Sequence, residues 1–117
     1  MAELARIALQ VYGQLTSIVY DTAQISELIV SDSVNDEMLL MLANLLYHST
    51  VMIYYSAQQA GPYQETFISI QKLCQNSLPL SKIRSMLQMH SNNGLVVEPI
   101  LKTFLFVLNQ MKQQVAD

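Results

Sequence analysis

From Met38 to Gln64 the chain contains no Asp, Glu, Lys or Arg. The first part of this run, Met38 to Ala60, reads MLLMLANLLYHSTVMIYYSAQQA and is apolar over most of its length. A segment that hydrates so poorly has to be covered by its own fold, by another protein or by lipid. What flanks it decides which.

At 117 residues the chain is long enough for one domain with a real core and too short for two. Apolar residues make up 51% and charged residues 13%, about half of the ~25% usual in soluble domains. Gln, Ser and Asn therefore carry much of the hydration, and they repel neighbouring molecules weakly. Such a balance favours self-association. The formal net charge is −3. The six bases (Arg6, Lys72, Lys82, Arg84, Lys102, Lys112) are scattered, which argues against nucleic acid, because phosphate binding needs clustered cations. Residues 1–60 hold six acids and one base, net −5, while residues 61–117 hold five bases and three acids, net +2. The two halves attract, within one chain or between copies.

Residues 2–30 carry a heptad. Leu4, Val11, Ile18 and Ile25 fall on one seam position, and Ala8, Leu15, Thr22 and Ile29 on the other. The average period of 3.5 marks a narrow coiled-coil seam, for an intramolecular antiparallel hairpin or, alternatively, a contact between chains. No proline interrupts it, and a helix of this length reaches ~43 Å at ~1.5 Å per residue. Ser31 to Glu37 makes the turn, with Asp32 or Ser33 as the cap and Ser33/Asp36 resembling a capping box. A second helix, about 34–60, returns antiparallel. It is apolar around most of its circumference, with Met38, Leu42, Leu45 and Met52 on one side and Leu39, Leu46, Ile53 and Ala57 on another. Asn44, His48, Ser49 and Thr50 form a polar island at its middle. Gly61-Pro62 ends it. Three shorter helices follow: about 62–76 with Tyr63, Phe67, Ile70 and Cys74 inward, about 79–91 with Leu80, Ile83, Leu87 and His90 inward, and about 97–115 with Pro99 in its first turn. In the last, Leu101, Phe104, Leu108, Met111 and Val115 return to the 3–4 spacing.

No pattern supports catalysis or cofactor binding. His48 and His90 lack a ligating neighbour at i+3 or i+4, so no metal site is expected and both read as hydrogen-bonded packing residues. Cys74, on an apolar face, reads as a small hydrophobe; as a lone cysteine it suits a reducing compartment. The three glycines are isolated and build no phosphate loop. The N-terminus has Glu3 and no basic region before a compact apolar run, so it is not a secretory signal, and a cytoplasmic location is expected.

Lipid is the least favoured cover for the uncharged run. A span needs ~20 mostly apolar residues, which Met38 to Ala57 nearly supplies. The polar island, however, falls at mid-span, no Lys or Arg flanks either end, and Tyr47, Tyr54 and Tyr55 do not form belts at the two ends. Protein remains as the cover. Buried Asn44, His48, Ser49 and Thr50 would then specify register across a contact.

Residues 32–59 resemble the killing-trait (Reb) family, small proteins that assemble into bacterial R-bodies. The similarity rests on Asp32-Ser33-Val34, Leu46-Tyr47 and Ala57-Gln58-Gln59. The spacing is shorter than in the family, Gly61-Pro62 truncates the glutamine run, and residues 63–117 have no counterpart. The resemblance implies polymerisation into a coiled ribbon without catalysis.

The expected architecture is therefore one all-α, bundle-like domain, 1–117: a long antiparallel hairpin plus three helices. The expected role is non-enzymatic protein–protein interaction, with self-assembly through helices one and two. The interface candidates are Leu4, Val11, Leu15, Ile18, Ile25, Met38, Met41, Leu45, His48, Met52 and Tyr55. The partner is a second copy or another helical protein. The alternatives are a small adaptor, immunity protein or secretion chaperone that binds a partner's amphipathic helix, and a membrane-associated helical protein.

Overall fold

Five α-helices follow one another: α1 Ala2–Ser31, α2 Asp36–Gln58, α3 Gln64–Ser77, α4 Leu80–Met89 and α5 Gly94–Ala116. A 3-10 turn, Gly61–Tyr63, precedes α3. The computed structural model describes residues 2–31 and 33–116, without the side chains of residues 4 and 114–116. The roles read for Leu4, Asp32 and Val115 lie outside what is described. Among the described residues there is no strand, so the all-α hairpin with three further helices is the observed fold.

The hairpin forms as its heptad demands. Leu15, Thr22, Ile25 and Ile29 of the α1 seam are buried, and Val11 and Ile18 are half-buried against the same core. Antiparallel register follows from two contacts. Thr22 Oγ1 meets Ser49 Oγ at 2.9 Å near the middle, and Ile7 and Val11 share a hollow with Ser56 and Gln59 at the far end. The cap differs from expectation. Neither Ser33 nor a capping box starts α2; Asn35 Oδ1 accepts from the Met38 amide at 2.8 Å. An asparagine in extended backbone, with ψ 168°, reaches the orphan N–H three residues on and leaves Asp36 and Glu37 in the first turn, where the helix dipole favours acids. At the other end Gly61 takes φ 59°, the left-handed conformation that glycine adopts without a Cβ clash.

Helix α2 is the hub: α1, α3 and α5 all pack on it. Its inner strip is Leu39, Ala43, Leu46, Thr50, Ile53 and Ala57, all buried. Helix α5 runs parallel to α2. Phe106 meets Tyr54 edge-on with ring centres 5.6 Å apart, Gln58 Nε2 donates to Gln110 Oε1 at 3.0 Å, and Lys102 Nζ lies 5.9 Å from the centre of the Tyr47 ring. Helices α3 and α4 also pack on α1. Tyr12 packs edge-on against Phe67, Glu27 pairs with Lys82, and His90 Nε2 lies 2.8 Å from the Ile29 carbonyl. A carbonyl only accepts, so Nε2 carries the proton in that bond.

Helix α5 departs from expectation in its start. It begins at Gly94, with Val96 and Val97 amides donating to the Asn93 carbonyl, so Pro99 lies inside it and not in its first turn. The buried strip is Val96, Ile100, Thr103 and Val107. Of the residues that share the 3–4 spacing, Leu101 and Met111 are exposed, and Phe104 and Leu108 are half-buried. Thr103 is polar yet buried, and its hydroxyl donates to the Pro99 carbonyl at 2.9 Å, so its polar group is satisfied.

The molecule measures 52 × 30 × 19 Å. Nineteen ångströms is two helix layers, each ~10 Å. The radius of gyration is 15.1 Å, against ~13 Å for a compact domain of this length. A slab two helices thick covers only one side of each helix.

Gly13 is exposed inside α1, and a Cβ there would meet nothing within 4 Å. Gly13→Ala should stabilise the fold by ~1 kcal/mol through helix propensity, and Gly61→Ala should destabilise it by ~1 kcal/mol because of its left-handed backbone. Urea unfolding of the two variants checks both signs. A destabilising Gly13→Ala would mean that α1 is not continuous helix at that point.

Candidate interaction surface

Because α2 is apolar on nearly every side, its three neighbours cannot cover all of it. The uncovered side carries Met38, Met41, Leu45, His48, Met52 and Tyr55, all exposed. Met41 is 69% and Tyr55 60% accessible. The spacings run three, four, three, four, three, a second heptad seam directly opposite the buried strip. All six α2 interface candidates thus lie together on one free face.

The α1 candidates lie elsewhere. Leu15, 3% exposed, and Ile25 sit in the chain's own core. Val11 and Ile18 lean on it. The α1 seam is occupied by the hairpin and leaves little for a second molecule.

The polar island is divided. Thr50 is buried, and its hydroxyl donates to the Leu46 carbonyl at 2.7 Å. Ser49 lies 2.9 Å from Thr22 across the hairpin and 3.1 Å from the Leu46 carbonyl. These two therefore act inside the chain, where the Thr22–Ser49 pair fixes how α1 seats on α2. Asn44, exposed, donates back to the Leu40 carbonyl at 3.0 Å. Only His48 takes its place in the outer seam, with its ring edge-on to Tyr47 at 5.5 Å. A packing histidine is found instead at His90.

A second uncovered apolar stripe runs along α5. Leu101 and Leu105 are exposed, Leu108 is half-buried, and Lys112 follows at the same spacing. Leu105, Leu108, Asn109 and Lys112 line a shallow hollow of about 300 Å³. By length and composition alone, Asp36–Gln58 and Gly94–Gln113 are each apolar enough to cross a membrane.

The chemistry of the buried groups is that of packing. Burial pushes the Cys74 thiol from 9.0 up to about 12, which keeps it protonated and non-nucleophilic at neutral pH. Burial, with Cys74 beside it, pushes the Tyr54 phenol up to about 12 as well, against a weaker opposing effect of the Gln75 side chain. Among the described residues no three His, Cys, Asp or Glu side chains converge to hold a metal.

Comparison of the chain with protein-family models, with curated proteins and with solved structures brings no match. Of the residues that carry the killing-trait resemblance, Leu46 and Ala57 are buried, Tyr47 is half-buried, and Gln58 and Gln59 are exposed at the end of α2.

Raised values for two buried acids set the sign of an alkaline effect. Both groups hold their protons more tightly folded than unfolded, so their stabilisation is complete below pH ~9 and is lost as pH rises toward ~12. The urea midpoint should fall across that window, and less steeply for Cys74→Ala than for the native chain. Equal slopes for the two proteins would show that Cys74 ionises as readily folded as unfolded.

Proposed function

We propose that this chain is a non-enzymatic helical interaction module that self-assembles, with the outer face of α2 as the surface a second copy covers. The observation that carries this reading is the exposed heptad seam from Met38 to Tyr55. A stripe of large apolar residues at a/d spacing is the pattern that helices bury against one another, and leaving it in water costs about 25 cal/mol for each Å² of apolar surface. No charge interrupts the seam, so nothing repels a second copy at close approach. The resemblance of residues 32–59 to the killing-trait family points the same way, toward assembly without catalysis.

An adaptor, immunity protein or secretion chaperone would use the same seam to hold a partner's amphipathic helix. The behaviour of the purified chain separates the two, since only the self-assembling module completes its surface alone. Membrane insertion is the third reading, favoured by the length of the two apolar stretches. Against it stand His48 on the outer face of α2 and Glu98, Lys102 and Lys112 on the exposed side of α5, groups that lipid would strongly penalise.

Size-exclusion chromatography with light scattering tests the proposal. The native chain should have a mass at least twice 13.2 kDa. Met41→Glu/Leu45→Glu should return it to 13.2 kDa with little change in melting temperature, because both positions are exposed. A native chain that stays monomeric at the highest concentration it tolerates would refute self-assembly and leave the adaptor reading in its place.

A further inference from the structure

Resting on the self-assembly proposed above, we infer that the surface meeting α2 on the second copy is the exposed stripe of α5, Leu101, Leu105, Leu108 and Lys112, docked antiparallel so that copies join head to tail. Three observations carry this.

The first is coverage. Among the described residues, α2 and α5 each leave bare a row of large apolar residues at three-and-four spacing, whereas the exposed Leu9, Tyr20 and Leu28 of α1 do not form such a row. Pairing α2 with α2 about a two-fold axis would cover one and leave Leu105 at 54% exposure. Pairing α5 with α5 would leave the α2 seam bare. A contact between the two stripes uses both at every junction.

The second is charge. The only charges on α2 are Asp36 and Glu37 at its start, so two α2 helices offer each other no opposite charge. The stripe of α5 ends at Lys112, which has no ion-pair partner among the described residues, while Glu98 near its start is paired with Lys102. Set antiparallel, the second copy's Lys112 arrives beside Asp36 and Glu37. Set parallel, Glu98 would arrive there and repel. Antiparallel docking also opposes the two helix dipoles.

The third is shape. The α2 seam from Met38 to Tyr55 spans ~26 Å and the α5 stripe from Glu98 to Lys112 ~21 Å at ~1.5 Å per residue, and both step by threes and fours. Aligned by their charged ends, Met41 faces the second copy's Leu108, Leu45 its Leu105 and His48 its Leu101. The hollow beside Leu105, Leu108 and Asn109 receives Met41 or Leu45 as a knob enters a hole. Because α5 runs parallel to α2 within the chain, the antiparallel contact turns the second copy about, so it either closes on a pair that makes the contact twice or continues as an open chain of copies alternating in direction.

A mixing experiment decides. Met41→Glu blocks the α2 face and Leu105→Glu blocks the α5 face; both residues are exposed, and circular dichroism checks that each variant is folded. Each variant alone should be monomeric by light scattering, and an equimolar mixture should give a 1:1 dimer of twice 13.2 kDa, because one variant retains α2 and the other α5. In the otherwise native chain, Lys112→Glu should weaken assembly at least tenfold and Glu37→Lys should restore it. If the native chain assembles and Leu105→Glu assembles equally well, α2 pairs with α2 and the head-to-tail contact is overturned while self-assembly stands. If Met41→Glu assembles as the native chain does, both the α2 seam and this contact are wrong. A monomeric native chain overturns this inference together with the proposal beneath it.

Discussion

Three helices close on one strip of α2, and the residue sizes along that strip allow it. Ala43, Thr50 and Ala57 alternate with Leu39, Leu46 and Ile53, each almost fully buried. Small side chains let a neighbouring backbone approach, and the large ones fill the space between helices. Replacing any of the small ones with a larger side chain would push at least one of α1, α3 or α5 away. Because the bundle is only two helices thick, burying this strip so thoroughly leaves the opposite face of the same helix with nothing from its own chain to cover it.

That consequence links the fold to the proposed role. A compact five-helix arrangement would surround its most apolar helix. This chain instead lays α2 at one surface of a slab, and it does so with a helix that carries no charge from Met38 to its end. Buried polar groups specify how the slab is put together. Thr22 with Ser49 and His90 with the Ile29 carbonyl are directional contacts between helices that would otherwise slide along apolar surfaces. The outer seam has no comparable device within the chain except His48, which suits a surface whose register is set by its partner.

The long hairpin was legible because a proline-free heptad and a Gly-Pro stop leave few alternatives. The six α2 interface candidates share a 3–4 spacing that is readable in the sequence, and the structure exposes all six, while Leu42, grouped with Met38, Leu45 and Met52, is half-buried. What spacing does not contain is rank. Helices α2 and α5 are apolar on more than one side, and a periodicity argument cannot tell which side the rest of the chain will claim. For that reason Ser49 and Thr50, expected across an intermolecular contact, act inside the chain instead. Thr50 and Thr103 satisfy their hydroxyls on the preceding turn and then behave as core residues. The helix cap was missed because Ser33 and Asp36 match a known pattern, whereas Asn35 needs only itself and an extended backbone. The seam residues Leu15 and Ile25 were correctly read as apolar but belong to the chain's own hairpin.

The central claim is that α2 has one face for its own chain and one for another copy. Oxidation of methionine side chains, read residue by residue by mass spectrometry at low and high protein concentration, tests it directly. Met38, Met41 and Met52 lie on the outer face, Met86 is fully buried, and Met89 is exposed on α4. The account predicts that Met41 and Met52 react in dilute solution and become protected as concentration rises, while Met89 stays reactive and Met86 stays protected throughout. Equal reactivity of Met41 and Met52 at every concentration would contradict it, as would protection of both in a demonstrably monomeric chain.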